Sequence, residues 1–176
     1  SSEHSAAGEF GGDAIDDNDD ITYPNGCHIC EVEIDPETGE LEIIAFTAVD
    51  DVGNAINPMI VHGQSQGGIA QGIGQALFEQ TIYDPETGQQ LSGSFMDYAL
   101  PKARDLPFIN GTLNEVRSPT NSLGAKGAGE GGTTGAPAAV MNAVMDALSY
   151  VGVQNIDMPA TPYRIWEAIQ NYKTGN

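Results

Sequence analysis

The sequence predicts an α+β fold, in which a β-hairpin and mixed short strands pack with about three helices. Three observations predict it. Residues 27–50 hold two alternating apolar segments around the turn sequence DPETG, which is typical of a hairpin. Residues 57–80 and the segment after Pro137 carry apolar residues at helical spacing. Strands and helices do not alternate regularly, which disfavours a parallel βαβ arrangement.

The hairpin is formed by CHICEVEI (27–34) and ELEIIAFTAVD (40–50). The intervening DPETG has Pro near its start and Gly at its end, as β-turns prefer. DPETG recurs at 84–88, before a segment at 89–95 that we expect to form a strand. Because nothing else repeats at that spacing, we interpret the second copy as a reused turn.

The first helix is predicted over 57–80, with Asn57 as N-cap and Pro58 in the first position. Its apolar face comprises Ile69, Ile73, Ala76 and Leu77. The opposite face carries Gln64, Gly68, Gln71 and Gln75. Several glycines lie inside this helix, among them Gly67, Gly68, Gly72 and Gly74. Each costs about 1 kcal/mol relative to Ala. Either a ligand approaches this backbone, or another element packs closely against it.

The second half of the chain contains a short predicted strand at 112–116 and a glycine-rich segment at 121–137. A second helix is expected after that segment, with Pro137 in its first turn. Its apolar residues are Ala138, Ala139, Val140, Ala143, Val144, Ala147 and Leu148. A third helix begins at Thr161 with Pro162 next. It carries Ile165, Trp166, Ile169 and Tyr172.

Composition restricts the partners of this 176-residue chain. Acidic residues outnumber basic ones 25 to 6, for a net charge of −19. Nucleic-acid binding needs clustered Lys and Arg, so a nucleic-acid partner is excluded and an anionic membrane surface is disfavoured. No apolar run reaches the ~18 residues typical of a membrane span. We expect residues 1–20 to form a flexible acidic segment before one folded unit at 21–176.

The sequence CHIC places Cys27 and Cys30 in the first strand. Such a pair can be a redox couple, half of a zinc site, or two small apolar residues of a strand. Only His28 lies near as a further ligand, and no helix follows directly, so the third interpretation is favoured. We assign none of the three histidines to a metal.

The glycine-rich segment contains six glycines between Gly124 and Gly135. Its G-x-G-x-x-G spacing lacks the preceding apolar strand of a dinucleotide site, and no Gly-Lys-Ser/Thr of a P-loop occurs. Glu130 stands among glycines that add no bulk, so a ligand can reach both its carboxylate and the backbone amides. In a pocket that excludes water, this glutamate would suit a general base. The alternative is an exposed loop with a solvated glutamate.

Three segments together resemble a known family: VDDVGNAINPMIVHGQSQGGIAQGIGQALFE (49–79), SFMDYALP (94–101) and GAKGAGEGG (124–132). The chain is similar to the molybdenum-binding large subunit of the xanthine dehydrogenase / aldehyde oxidase family. It resembles in particular the bacterial branch typified by the aerobic carbon monoxide dehydrogenase large chain. The similarity is collinear over roughly residues 20–172 and joins several motifs.

The resemblance implies a molybdenum hydroxylase, which oxidises a carbon centre with oxygen drawn from water. Its substrates are aldehydes, N-heteroaromatics or carbon monoxide-like molecules. Its cofactor is molybdenum on molybdopterin, commonly the cytosine dinucleotide form in bacteria, and the pterin rather than protein side chains holds the metal. The family's general base matches Glu130, and its pterin-binding glutamine matches Gln64. Gly129 lies in the matching cofactor-binding loop, and with Lys126 we assign it to the loop framework.

The family's large subunit is several hundred residues long, so the resemblance implies that 21–176 is the C-terminal portion of a molybdopterin-binding domain. We expect the fragment alone to be inactive and the cofactor to be shared with the remainder of the large subunit. The implied partners are an iron–sulfur subunit, an FAD subunit and a small-molecule substrate, in the bacterial cytoplasm. A non-catalytic cofactor-binding or assembly module of the same fold is the alternative.

Overall fold

A computed structural model describes residues 20–175 of the chain. Within them lie three strands and three α-helices, so the α+β prediction is confirmed. The elements are β1 (Asn25–Ile34), β2 (Leu41–Asp51), α1 (Pro58–Leu77), β3 (Ile109–Leu113), α2 (Gly131–Ser149) and α3 (Pro162–Thr174), with a 3-10 turn at Ala103–Asp105. The predicted acidic segment at 1–20 lies, except for Asp20, outside the described residues.

The predicted hairpin is confirmed. β1 and β2 pair antiparallel from Asn25–Asp51 to Ile34–Leu41, with a bulge between Glu31 and Val32. The turn between them closes when the Gly39 N–H donates to the Asp35 carbonyl over 2.8 Å. Gly39 has a φ of +74°, a left-handed conformation that favours glycine.

The second DPETG folds in the same way, but no strand follows it. Gly88 has a φ of +72°, and its N–H donates to the Asp84 carbonyl over 2.9 Å. Only an isolated bridge joins Tyr83 and Gln90 beyond this turn. The reused turn is therefore confirmed, whereas the predicted strand at 89–95 is wrong because pairing across the turn stops after the Tyr83–Gln90 bridge and the hydrogen bond from Leu91 to Ile82.

β3 completes the sheet in the order β1-β2-β3 and runs parallel to β2. It spans Ile109–Leu113 rather than the predicted 112–116. After Leu113 the chain leaves the ladder, and the Val116 N–H instead donates to the Asp51 carboxylate over 3.0 Å. The prediction that a strand forms here is thus correct, but its bounds were placed three residues too late.

Helix α1 begins as predicted, because the Asn57 side chain accepts a hydrogen bond from the Ile60 N–H. Its predicted apolar face is buried in a core shared with the sheet, α2 and α3. Gly68, predicted on the opposite face, is instead buried against α2. A Cβ added to Gly68 would lie 2.8 Å from the Thr133 nitrogen, and one on Gly72 would lie 2.7 Å from the Ala136 Cβ. Close helix packing therefore accounts for both glycines.

Helix α2 begins at Gly131, well before the predicted start near Pro137, so that prediction is wrong. Glycines and a proline disfavour a helix locally. Here packing outweighs propensity, because Gly132 lies directly against the backbone of Ser65 and Ile69 in α1. The buried face of α2 comprises Gly132, Ala136, Val140, Val144 and Leu148.

Helix α3 begins as predicted, with the Thr161 side chain accepting a hydrogen bond from the Arg164 N–H. Ile165 and Ile169 are fully buried in the core. Trp166 and Tyr172, which we grouped with them, are 38% and 57% exposed. Instead, Trp166 lies beside the Gly39 turn, and the Tyr172 ring lies against Gly152.

Candidate functional site

The start of the glycine-rich loop is fixed to the end of β2 by a buried ion pair. The Lys126 Nζ atom lies 2.6 Å from Asp51 Oδ2, and both side chains are 12% exposed. Asp51 Oδ1 also accepts hydrogen bonds from the N–H groups of Gly53 and Val116. The hydrogen bond from Lys126 is the main reason that the pKa of Asp51 falls to about 2. The carboxylate is therefore ionised and holds the loop in place.

Glu130 lies at the N-cap of α2, where the loop becomes a helix. Its carbonyl accepts a hydrogen bond from the Thr134 N–H over 3.0 Å, as the first turn of a helix requires. Its side chain makes no capping hydrogen bond and is exposed. The described residues therefore do not build a water-excluding pocket around Glu130, and its carboxylate is available to a ligand.

Gln64 and Gly129 are brought together by the contact between α1 and α2. A Cβ added to Gly129 would lie 3.7 Å from the Gln64 Nε2 atom. Gln64 is exposed, so its amide can bind a ligand that lies on the loop. The three residues singled out in the sequence thus lie side by side, because Glu130 directly follows Gly129.

A cavity of about 650 Å³ lies beside this loop. Its walls are the segment before β1, the loop from Gly127 to Glu130, and one face of α2. A Cβ on Gly127 or Gly131 would approach nothing closer than 3.9 Å, at Pro24. The loop therefore presents bare backbone to the cavity, and the positive end of the α2 dipole favours an anion there.

A hydrogen-bonded chain of three buried side chains borders the same cavity, and the sequence interpretation missed it. His28 Nε2 lies 3.1 Å from Asp50 Oδ1, and the Ser65 hydroxyl donates to Asp50 Oδ2 over 2.9 Å. The His28 side chain is 5% exposed. The sequence did contain a signal for this chain. His28 occupies an inward position of β1, on the same side as Cys30 and Val32. Because a buried polar group requires a hydrogen-bond partner, that position indicates a polar neighbour for His28.

The CHIC cysteines behave as ordinary strand residues. Cys27 and Cys30 are both free thiols, and burial raises the pKa of Cys30 to about 11. Among residues 20–175, no group of three or more His, Cys, Asp or Glu side chains is arranged to hold a metal ion. Within the same range, none of the helices is both long and apolar enough to cross a membrane.

Comparison with known proteins identifies the family. Residues 2–107 match the model of the molybdopterin cofactor-binding domain, which is more than half of the chain. The chain belongs to this family. The resemblance to the large subunits of the xanthine dehydrogenase and carbon monoxide dehydrogenase type is thereby confirmed.

Two curated relatives and one solved structure illustrate the similarity of this molybdopterin cofactor-binding domain to known enzymes. It is 39% identical over 156 residues to the carbon monoxide dehydrogenase large chain of Hydrogenophaga pseudoflava, covering 89% of this chain and 19% of the relative. It is 44% identical over 146 residues to the nicotine 6-hydroxylase large subunit of Paenarthrobacter nicotinovorans. That match covers 83% of this chain and 18% of the relative. A Cu,Mo-CO dehydrogenase crystal structure superposes with a TM-score of 0.82 at 36% identity. The superposition covers 85% of this chain and 19% of the chain in that structure. The domain thus spans about a fifth of the length of these relatives.

The residues of the domain fit the cofactor named by its family. A pterin offers several hydrogen-bonding groups, and its attached phosphate is anionic. Backbone amides of the bare loop, the Gln64 amide and the start of α2 supply matching donors beside the cavity. Bulky side chains on Gly127 or Gly129 would close this approach.

Proposed function

We propose that this chain is the part of a molybdenum hydroxylase that supplies the general base, Glu130, and part of the cofactor site. The observation that carries the proposal is the position of Glu130. Its exposed carboxylate stands at the junction of the glycine-rich loop and α2, beside Gly129 and Gln64 and on the wall of the cavity. The curated names of the relatives, a carbon monoxide dehydrogenase and a nicotine hydroxylase, support the reaction class.

In this proposal each residue has a separate task. The Gln64 amide and the backbone at Gly129 bind and orient the pterin. The carboxylate of Glu130 accepts a proton during the reaction and releases it afterwards, as a general base does. When bound, the molybdenum cofactor supplies the two-electron oxidation of a carbon centre with oxygen drawn from water. The ion pair of Lys126 with Asp51 fixes the start of the loop, three residues before Gly129, during these steps.

The finer parts of the proposal rest on the family resemblance. They include the cytosine dinucleotide form of the cofactor and a bacterial, cytoplasmic protein. The substrate is an aldehyde, an N-heteroaromatic or a carbon monoxide-like molecule. The cofactor would be shared with the remainder of the large subunit, and electrons would leave through an iron–sulfur subunit and an FAD subunit. The isolated 176-residue fragment would be inactive because it holds only part of the site.

The test is Glu130→Gln in the intact enzyme that contains this domain. The substitution keeps the size of the side chain and removes its basicity. We expect turnover to fall by about 10² or more, since general base catalysis contributes ~10²–10⁴. Molybdenum content, measured by mass spectrometry, should be unchanged. Glu86→Gln, in the exposed second DPETG turn, is the matched control and should leave both values unchanged.

Near-normal turnover of Glu130→Gln at equal molybdenum content would remove Glu130 from the reaction. If the intact enzyme also contains its normal amount of molybdenum, another residue must act as the general base. A parent protein purified without molybdenum from molybdenum-replete cells would instead favour the non-catalytic module.

A further inference from the structure

We propose that His28 and Asp50 are positioning residues that fix Glu130 relative to Gln64. They act through α2, and both also border the cavity. The inference rests on the proposed function for its catalytic meaning. The loop before Glu130 contains Gly127 and Gly129. Glycine restrains the backbone less than any other residue, so this loop cannot by itself fix the carboxylate. The position of Glu130 must come from the helix that it caps.

The first two turns of α2 rest on the hydrogen-bonded chain of His28, Asp50 and Ser65. The imidazole of His28 lies against the backbone of Gly135, where an added Cβ would lie 2.5 Å from Nδ1 and 2.9 Å from Cγ. The carbonyl of Ser65 lies against Gly132. Gly132 and Gly135 are three residues apart and therefore share a face of α2. The two end residues of the hydrogen-bonded chain thus contact the same face of the helix, His28 through its ring and Ser65 through its backbone carbonyl.

Asp50 holds the two ends together. It is 6% exposed and accepts hydrogen bonds from His28 in β1 and from Ser65 in α1. The hydrogen bond from His28 makes the largest contribution to a lowered pKa of Asp50, and the bond from Ser65 adds to it. Burial acts in the opposite direction but does not outweigh them. The carboxylate is therefore ionised, and loss of either donor would leave a buried charge short of a partner. Gly26 allows this arrangement, because a Cβ there would lie 2.6 Å from Asp50 Oδ1.

The imidazole has one orientation that satisfies Asp50. Nε2 must carry the proton that is donated to the carboxylate. Nδ1 then has no hydrogen-bond partner and is buried against α2. An edge contact with Phe46, at a centroid distance of 5.7 Å, holds the ring from the core side. The ring is thereby a rigid spacer between β2 and α2, and its removal lets the start of α2 move.

The experiment compares three variants in the intact enzyme by hydrogen–deuterium exchange. In His28→Gln the new amide can still donate to Asp50, whereas the shorter side chain of His28→Asn cannot reach it. Ser65→Ala removes the other donor. We expect the amides of residues 127–136 to exchange about tenfold faster in His28→Asn and Ser65→Ala, and about as in the wild type in His28→Gln. Exchange in α3 should not change.

Two controls keep the result specific. Ser149→Ala removes an exposed hydroxyl at the far end of α2 and should leave residues 127–136 unchanged. If His28→Asn also exposes α3, it has damaged the whole fold, and the milder Ser65→Ala then decides. We further expect His28→Asn to lower kcat about tenfold at equal molybdenum content, with KM changed by less than about twofold.

Unchanged exchange at 127–136 in both His28→Asn and Ser65→Ala would overturn the inference. Faster exchange with an unchanged kcat would overturn it as well, since the position of α2 would then not matter to turnover. The proposed function is decided separately by Glu130→Gln. Normal turnover of Glu130→Gln would refute the base while leaving the exchange result of His28→Asn to stand by itself.

Discussion

The glycine contacts between α1 and α2 make a quantitative prediction about stability. Gly67 and Gly72 lie in the same helix, so replacement by Ala gains about 1 kcal/mol of helix propensity at either site. Their surroundings differ: a Cβ on Gly67 meets nothing within 4 Å, whereas one on Gly72 lies 2.7 Å from the Ala136 Cβ and 2.8 Å from the Pro137 Cδ. Ordinary carbon contacts are about 3.5–4.0 Å, so the helices would have to separate by about 1 Å.

Overpacking of this kind costs about 1–3 kcal/mol. We therefore expect Gly67→Ala to raise the free energy of unfolding by up to about 1 kcal/mol, and Gly72→Ala to be about 1–3 kcal/mol less stable than Gly67→Ala. That difference corresponds to roughly 2–12 °C in Tm for a chain of this size. Urea denaturation of the chain, followed through Trp166, the single tryptophan, measures it. Equal stability of the two variants would refute the packing argument.

Two further predictions concern the ion pair and the repeated turn. The hydrogen bond from Lys126, together with those from the Val116 and Gly53 N–H groups, lowers the pKa of Asp51 from 3.8 to about 2. The unfolded state therefore binds more protons between these values, and the stabilisation is lost as pH falls from about 4 to 2. Urea unfolding of Asp51→Asn should show a deficit of about 2 kcal/mol near pH 7 that shrinks below pH 4; a deficit independent of pH would contradict this origin. In the two DPETG turns, Gly88→Ala should cost about 1–2 kcal/mol for its left-handed φ. Gly39→Ala should cost more, because its Cβ would also lie 2.8 Å from the Trp166 nitrogen, and equal costs measured by denaturation would exclude this contact.

Local signals account for the elements that the sequence predicted well. Asn57 and Thr161 both cap helices through their own side chains, and DPETG closes its turn through groups within five residues. Such hydrogen bonds depend little on the rest of the fold, so a short segment is enough to predict them. The position of Gln64 on the exposed face of α1 followed from helical spacing in the same way.

The errors arose where distant residues decide the structure. The start of α2 at Gly131 depends on the fit of Gly132 against α1, which no local propensity reveals. The segment predicted as a strand at 89–95 pairs across its turn only at Gln90 and Leu91, which is too short to form a strand. The chain of His28, Asp50 and Ser65 joins three elements, and only the inward position of His28 in β1 hinted that a partner was needed. The sequence also could not decide whether Glu130 is exposed to water, because the exposure of this side chain depends on the distant residues that surround the loop.

Helix α2 is anchored along its whole length, which has a mechanical consequence for Glu130. Its buried face runs from Gly132 through Val140 to Leu148. Close contacts with α1 at Gly132, Ala136 and Pro137 secure the end that carries Glu130, and the hydrophobic core secures the opposite end. A disturbance at the exposed Tyr150 end is therefore resisted by every turn of the buried face before it reaches the carboxylate.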